Sequence, residues 1–455
     1  MAINLKANNL STFSENNDGL RFANIFFIAA AFTSSFDIFL VINFGFNFRV
    51  TQLLMLVPLG ISCVKSFLYK SIWPLGFHWL ICWTFVIIIF IPNTNYYTKS
   101  IGYAAWLIFD ILMVYACVQI YSTVPRIFVL LRWYLYSFLF ISLFGLLQFI
   151  SPVLGLGDLL LIETWWIPGV LPRLNGFSYE PSFYATYLLM GWVLSAFLLE
   201  SKSSLLPLSK LRWIFVFIST ALLLCGSRMG ILMMVLWYMK YPIKFMSKLL
   251  SGSINTYSVK IILLIFICSA LIFYFLNNFI YFDDVAFLFS GIGLLGSGSH
   301  SVDTREGRML ETFSLFLNSP FIGYSLGGIA PAIAALHGIT NLDFETVKEF
   351  EGNSIFVEVL AASGIIGIVP FIFYLFSIIF KPIELSGKLP SNQSKIIIGL
   401  SISLIFEFII LQFNQVILRP YLWMHIAVLS ASYSVFSNCR NNLDPALLNN
   451  RPAFS

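Results

Sequence analysis

Apolar residues along this chain run in unbroken stretches rather than in the alternation of a half-buried strand. Stretches of about 20 apolar residues are long enough to cross a bilayer as an α-helix, and the continuous pattern disfavours a membrane β-barrel. The pattern predicts an all-α polytopic membrane protein with about twelve transmembrane helices. The predicted helices cover residues 23–43, 51–69, 72–91, 100–121, 130–150, 181–199, 213–226, 229–242, 259–280, 354–380, 396–414 and 419–437.

Two long connections interrupt this series of helices. Segments 151–180 and 281–353 are longer than about 15 residues, beyond which loops are usually functional or disordered. Apolar residues such as Trp165 and Trp166 argue against disorder in the first of them. The predicted organisation is helices 1–5 within 1–150, a loop at 151–180, helices 6–9 within 181–280, a large loop at 281–353, helices 10–12 within 354–437 and a tail at 438–455.

The charge distribution orients the bundle. Only 10% of the residues are charged and 59% are hydrophobic, whereas a soluble domain has roughly 25% charged residues. Most lysines and arginines lie on the inner side if both termini are cytoplasmic, so the two long loops are predicted to lie outside. The polar N-terminus predicts no cleavable signal peptide.

Two further features exclude partners and cofactors. A net charge of +5 without a long basic run in the loops does not suggest nucleic acid as a partner. The six cysteines form neither a disulfide framework nor a metal-ligand spacing.

Arginines dominate the basic residues near the long loops. They are Arg173, Arg228, Arg305 and Arg308. Arginine carries a planar, permanently charged fork that fits phosphate oxygens, which predicts a pocket for a phosphate group. The alternatives are contact with lipid headgroups for the loop arginines and, for Arg228 at the break Gly226-Ser227-Arg228, an interfacial arginine that snorkels.

The larger loop contains the segment "REGRMLETFSLFLNSP", which predicts an amphipathic helix. Its apolar face carries Met309, Phe313, Phe316 and Leu317. Its polar face carries Arg305, Arg308 and Thr312. Asp303 and Glu306 predict a capping box at its start, and Asn318-Ser319-Pro320 predicts its end. Such a helix, lying on the membrane surface, would present both arginines to one pocket.

The stretch "RLNGFSYEPS" places a polar cluster at the entrance to the sixth helix. Pro181 suits the first helical position, so Glu180 is predicted at the N-cap, where the helix dipole favours its charged form. Gly176 allows a tight turn between Arg173 and Glu180. Glu180 is then expected either to orient Arg173 or to accept a hydrogen bond from a substrate hydroxyl.

Other ionisable residues have less specific surroundings. Glu351, Asn353 and Glu358 lead into the tenth helix, where Glu358 either faces a polar cavity or pairs with an outer arginine. Asp110 and Glu407, near mid-membrane, either bind each other or a proton or serve helix packing, which is the default interpretation. His300 and His337 lie in the larger loop and are either bases or solvated side chains, whereas His78 and His425 are assigned to the core.

Several motifs in order resemble the O-antigen polymerase and O-antigen ligase superfamily. They are R-x-x-G-x-x-x-E-P-S, "SR" at a helix break, R-x-x-R followed by P-F-I-G-Y-S-L-G, and G-N-S…G-I-I-G. The resemblance covers roughly residues 170 to 370. It implies the architecture of the second class of GT-C membrane glycosyltransferases, in a bacterial inner membrane with a periplasmic active site.

The resemblance also implies a reaction. Such enzymes transfer a glycan from undecaprenyl diphosphate to a sugar hydroxyl of the next lipid-linked repeat unit, without nucleotide sugars, a metal or another cofactor. Fixed arginines would stabilise the charge on the departing diphosphate, and a glutamate would accept the proton of the attacking hydroxyl. The implied partners are undecaprenyl-diphosphate-linked glycans, membrane lipids and a membrane protein that regulates chain length.

The resemblance and the charges together select the candidate site residues. Those for catalysis are Glu180, Arg173, Arg308 and Glu311. Those for the substrate diphosphate are Arg173, Arg228, Arg305 and Arg308. Further candidates are Asn353, Glu351, Glu358, Tyr324, Arg419 and His337.

Two other functions compete with polymerisation. A ligase that moves the glycan to the lipid A core usually has a histidine before the asparagine of x-N-S, where this chain has Gly352. A flippase for lipid-linked oligosaccharides is expected to show paired repeats and charges along inner helices. The sequence therefore favours the polymerase.

Overall fold

The computed structural model describes residues 18–43, 47–69, 71–94, 96–156, 159–161, 165–167, 171–251, 299–339, 350–414 and 417–441. The chain is mostly helical. The predicted helix at 259–280 lies outside the described residues.

The first half of the chain contains helices joined by short connections and two antiparallel hairpins. Its helices are α1 (Asp18–Thr33), α2 (Val50–Leu68), α3 (Phe77–Ile89), α4 (Tyr97–Ile120), α5 (Val124–Ile150), α6 (Pro181–Glu200) and α7 (Leu208–Leu224). The hairpins pair β1 (Val41–Asn43) with β2 (Asn47–Arg49), and β3 (Trp165–Ile167) with β4 (Leu171–Pro172). A 3₁₀ turn at Ile91–Asn93 precedes α4.

The second half continues the bundle and adds two helices outside it. Its helices are α8 (Arg228–Tyr238), α9 (Lys240–Leu250), α10 (Ser299–Asn318), α11 (Ile329–Leu336), α12 (Ile355–Ser386), α13 (Ser391–Ile410) and α14 (Pro420–Asn441). A 3₁₀ turn at Leu326–Gly328 leads into α11. The predicted break between the seventh and eighth helices is confirmed at Gly226-Ser227.

Within the described residues, six helices are long and apolar enough to cross a membrane: α2, α4, α5, α6, α12 and α13. This is the build of a membrane-embedded protein. Their apolar sequences form helices because the helix satisfies every backbone group internally, as a bilayer interior demands. The total of twelve spans stays a prediction.

Short connections make successive helices of the bundle alternate in direction. One end collects the start of α4, the end of α5 and the starts of α6, α12 and α14; we call it the site end. At the opposite end, Arg132 donates to the carbonyl of Leu205 and Ser203 donates to Asn392. α6 forms the centre of the bundle, since it is buried along nearly its whole length and packs against α7 and α13.

The prediction that the first helix runs from 23 to 43 is wrong beyond Thr33. The Thr33 hydroxyl donates a hydrogen bond to the carbonyl of Ala29, and the Ser34 hydroxyl donates one to the carbonyl of Ala31. The Thr51 hydroxyl, at the start of α2, donates to the carbonyl of Thr33 at 2.6 Å. Because side chains satisfy the last turn, the helix ends there, and the chain bends so that Asp37 returns to the bundle.

The segment that follows α10 packs against a break inside α12. Gly364 has φ of +61° and interrupts the helix, which leaves the carbonyls of Ala361 and Ala362 without intrahelical donors. The N–H groups of Tyr324 and Ser325 donate to those two carbonyls, each at 2.8 Å. The segment "GYSLGG", whose glycines predict a flexible turn, is therefore docked against α12 and supplies hydrogen-bond donors to its break.

Helix α10 turns its polar face toward the protein. Thr312 and Leu315 are buried, whereas Leu310, Phe313 and Leu317 are exposed. The predicted division of the helix into two faces is therefore confirmed except at Phe316, which packs against the core instead of lying on the exposed apolar face. The predicted start at a capping box of Asp303 and Glu306 is wrong. The helix already includes Ser299, because no glycine or proline interrupts the chain between Ser299 and Asp303. Its predicted end at Asn318 is confirmed.

Candidate functional site

The "RLNGFSYEPS" segment forms a rigid turn at the site end. Gly176 has φ of +55°, as the predicted tight turn requires. The buried side chain of Gln148 donates to the Gly176 carbonyl at 2.9 Å and accepts from its N–H at 2.8 Å. The Phe177 carbonyl accepts the N–H groups of Asp37 and Ile38. The turn therefore fixes the loop that follows α1.

Glu180 occupies the predicted N-cap of α6, with Pro181 as the first helical residue. Its carboxylate accepts a hydrogen bond from the Ser182 hydroxyl at 2.9 Å and is exposed. The Asn414 amide, near the end of α13, donates to the Thr186 hydroxyl at 2.7 Å and ties the two helices together. The Glu180 carboxylate is exposed at the rigidly held start of α6, where it can accept a proton or a hydrogen bond.

Arg173 contacts the break between α7 and α8. Its Nε donates to the carbonyl of Cys225 at 3.2 Å and its Nη2 to the carbonyl of Gly226 at 3.1 Å. A helix end leaves such carbonyls without partners, so a guanidinium satisfies them well. Arg228 is half-buried at the first position of α8, and the Ser227 hydroxyl caps that helix by accepting the N–H of Gly230. Both arginines thus belong to the α7–α8 junction.

Arg308 lies in a charged group on the inward face of α10. Its Nη1 is 3.2 Å from Glu311 Oε2, and its guanidinium carbon lies 4.5 Å from the centre of the Phe350 ring. His337, at the end of α11, places its Nε2 2.9 Å from the other oxygen of Glu311. Arg308, Glu311 and His337 are therefore linked through one carboxylate. Arg305 is also on α10, but its side chain lies outside the described residues, as does that of His300.

Glu351 connects this group to helix α4. Its carboxylate accepts a hydrogen bond from the Tyr103 hydroxyl at 2.8 Å and lies 4.0 Å from the Lys99 ammonium. Glu358, in the first turn of α12, also interacts electrostatically with Lys99 and Tyr103. Lys99 and Tyr103 are not among the candidates from the sequence, because both lie within the apolar pattern of a predicted membrane helix or at its start.

The next residues form the turn into α12. Ser354 has φ of +71° and its hydroxyl donates to Gln412 at 2.9 Å, and Asn353 is half-buried beside it. A Cβ added to Gly352 would lie 3.1 Å from the Thr312 hydroxyl and 3.2 Å from an Ile329 methyl group. Position 352 therefore has little space for a side chain.

A buried ion cluster at the site end contains one residue predicted as a candidate, Arg419, and two that the sequence analysis missed. Asp37 Oδ2 lies 2.6 Å from Arg419 Nη1, and Asp37 Oδ1 lies 3.1 Å from Arg49 Nε. The Asp37 and Arg419 side chains are only 1% and 8% exposed. Asp37 falls inside the predicted helix 23–43, and neither Asp37 nor Arg49 is among the candidates from the sequence. A lone aspartate beside two serines in an apolar run was the available signal.

Electrostatics at the site end favour anions. Two guanidinium groups share one carboxylate in the buried cluster, which leaves one positive charge. Burial lowers the pKa of Arg419, but the neighbouring acidic groups, Asp37 foremost, together outweigh this effect and raise that pKa above its ordinary value. A permanent positive charge in a low-dielectric setting is suited to stabilise a phosphate group.

No known protein-family model matches the chain, and no curated protein matches it significantly. The likeness to the O-antigen polymerase and ligase superfamily therefore depends on the motifs and their order.

Proposed function

We propose that this protein is a glycosyltransferase that polymerises repeat units carried on undecaprenyl diphosphate into O-antigen or a related surface polysaccharide. The reaction would take place at the periplasmic face of a bacterial inner membrane. The growing glycan would leave its lipid diphosphate and join a sugar hydroxyl of the next lipid-linked repeat.

One observation carries this proposal. Arginines and carboxylates from all the motif-bearing segments lie at the same end of the bundle. They come from the "RLNGFSYEPS" turn, the α7–α8 junction, α10 and the turn into α12. A reaction that releases a lipid diphosphate needs positive charge where the diphosphate departs, and it needs a proton acceptor near the attacking hydroxyl.

The arrangement supports separate roles for these groups. Glu180 is exposed, and Ser182 occupies only one of its acceptor positions, so Glu180 would receive the proton of the acceptor hydroxyl. Glu311 already bridges Arg308 and His337, so it would position Arg308 toward the donor. The inward polar face of α10 would cover the reacting groups, while its exposed apolar face would contact lipid.

The tight packing at Gly352 favours the polymerase over the ligase. A histidine at this position would force Thr312 and Ile329 to move. Its Cβ alone would lie 3.1 Å from the Thr312 hydroxyl and 3.2 Å from an Ile329 methyl group. The ligase chemistry that the resemblance associates with this position is therefore disfavoured in this chain.

The proposal is tested by deleting the gene in its own host and separating the lipopolysaccharide by gel electrophoresis. Loss of a polymerase leaves a single repeat unit on the core, so the ladder of long chains should collapse to one band above the core. A plasmid copy should restore the ladder. Core without any repeat would indicate a ligase or flippase instead, and an unchanged ladder would reject the proposal.

A further inference from the structure

We infer that Arg49 and Arg419, held by Asp37, form the phosphate-binding subsite for the diphosphate of the lipid-linked donor. This inference rests on the proposed function, because it names the part of the site that would hold the donor. It differs from the sequence prediction, which gave this role to Arg173, Arg228, Arg305 and Arg308.

The first support is the burial of an incompletely bonded guanidinium. Arg419 is 7% exposed, yet its Nε and Nη1 make no hydrogen bond of good geometry with any described residue. Its Nη1 lies 2.6 Å from Asp37 Oδ2 in an ion pair, so Nε is the donor that is left without any acceptor among the described residues. A buried donor without an acceptor costs free energy, and the oxygens of a phosphate would remove that cost.

The second support is the charge of the cluster. Asp37 is the one carboxylate in ion-pair contact with the two guanidinium groups among the described residues, and Glu351 and Asp110 interact with Arg419 and Arg49 only at longer range. Buried charges are normally paired. The oxygens of one phosphate group could accept hydrogen bonds from both guanidinium groups. A lysine ammonium lacks the planar fork that makes such paired contacts possible.

The third support is the location of the cluster next to the motif that opens α6. The Arg419 guanidinium carbon lies 4.0 Å from the centre of the Phe183 ring, which orients the fork by a cation–π contact. Phe183 follows Glu180 by one helical turn. Arg49 is more exposed than Arg419, with 22% of its side chain accessible, so a ligand can reach the cluster from its side.

The duties of the other arginines complete the comparison. Arg173 already donates to two backbone carbonyls, and Arg308 is paired with Glu311 and lies against Phe350. Arg419 is more buried than Arg173 and Arg308, and its Nε has no acceptor among the described residues. The donor diphosphate would therefore contact Arg49 and Arg419 first, and Arg308 would act from the covering helix.

The test measures binding of inorganic pyrophosphate to the purified full-length protein by isothermal titration calorimetry. Arg419→Gln and Arg49→Gln should each weaken binding by roughly tenfold or more, since each removes a charge-assisted contact. Asp37→Asn should lower the melting temperature without ligand but tighten pyrophosphate binding, because the competing carboxylate charge is gone. Unchanged binding in folded Arg49→Gln and Arg419→Gln, or weaker binding in folded Asp37→Asn, would overturn the inference.

Arg132→Gln is the matched control, since Arg132 donates to a backbone carbonyl at the opposite end of the bundle. It should bind pyrophosphate like the unmodified protein, and an equal loss in this variant would reveal general anion adsorption and overturn the subsite. If Arg419→Gln does not fold, Arg49→Gln decides the matter, because Arg49 is less buried.

Two lipids identify the source of the phosphate. Polyprenyl diphosphate in nanodiscs should displace pyrophosphate, and phosphatidylglycerol should not; equal displacement by both would overturn the assignment to the donor. The result is separable from the proposed function. A normal ladder after gene deletion would refute the polymerase alone, and binding independent of Arg49 and Arg419 would refute the subsite alone.

Discussion

At the scale of single residues, the arginines of the site end differ in what they already contact. Arg173 satisfies the carbonyls of Cys225 and Gly226, whereas Arg308 makes a partly exposed pair with Glu311. The sequence predicted that both lie near the site, but it gave no means of separating a structural arginine from a catalytic one. The difference arises because Arg173 contacts the break between helices α7 and α8, which lies 52 residues further along the chain.

Lysine substitutions at these two positions should separate the two duties. Arg173→Lys and Arg308→Lys are both expected to lose most polymerisation, because lysine lacks the planar fork. Only Arg173→Lys should also lose stability, by about 1–3 kcal/mol, since a single ammonium cannot serve both backbone carbonyls in the geometry of the guanidinium fork. Thermal unfolding of the purified variants, compared with the ladder of complemented strains, provides the measurement. Normal polymerisation by both variants would reject the role of the arginine fork at these sites.

At the scale of elements, the break in α12 determines where the α10–α11 segment lies. The interruption at Gly364 leaves two carbonyls of α12 without intrahelical donors, and the N–H groups of Tyr324 and Ser325 donate to them. A second contact follows, in which the N–H of Ile365 donates to the carbonyl of Pro320 at 2.8 Å. The helix that carries Arg308 is thereby anchored to a membrane-spanning helix through backbone hydrogen bonds.

Gly364→Ala should therefore detach this segment. The added Cβ would lie 2.3 Å from the Phe321 carbonyl oxygen, and the residue has φ of +61°. The backbone strain alone is expected to cost about 1–3 kcal/mol. Limited proteolysis should cut the 319–325 segment faster in this variant. Gly387→Ala is the control, because its added Cβ meets only one atom, at 3.8 Å, and its φ is −64°; equal protection in both variants would contradict the anchoring role of Gly364.

At the scale of the whole molecule, the bundle separates two polar ends. The site end gathers the Asp37, Glu351 and Arg308 groups, and the opposite end has contacts such as that of Glu200 with Lys240 and Trp237. The excess of basic residues at the opposite end predicts that it faces the cytoplasm. The site end would then face the periplasm, where lipid-linked repeats are polymerised in the proposed function.

Labelling of introduced cysteines tests this orientation. Asn318→Cys, at the exposed end of α10, should react with a membrane-impermeant maleimide in intact spheroplasts. Ser204→Cys, exposed at the opposite end, should react only after permeabilisation. The labelling uses a background in which the native cysteines are replaced by serine, because Cys63 and Cys82 are exposed. The reverse pattern of labelling would invert the predicted topology.

The sequence by itself determined the membrane character, most helix boundaries, the two faces of α10 and the N-cap of Glu180. These follow from local properties, namely the length of apolar runs, helical periodicity and the preferences of proline and glycine. Only the tertiary structure decided that α1 ends at Thr33, that "GYSLGG" docks into α12, and that Asp37 meets Arg49 and Arg419. Asp37 and Arg419 are far apart in the chain, and no local pattern encodes a contact that exists only once the ends of α1 and α13 are packed around α6.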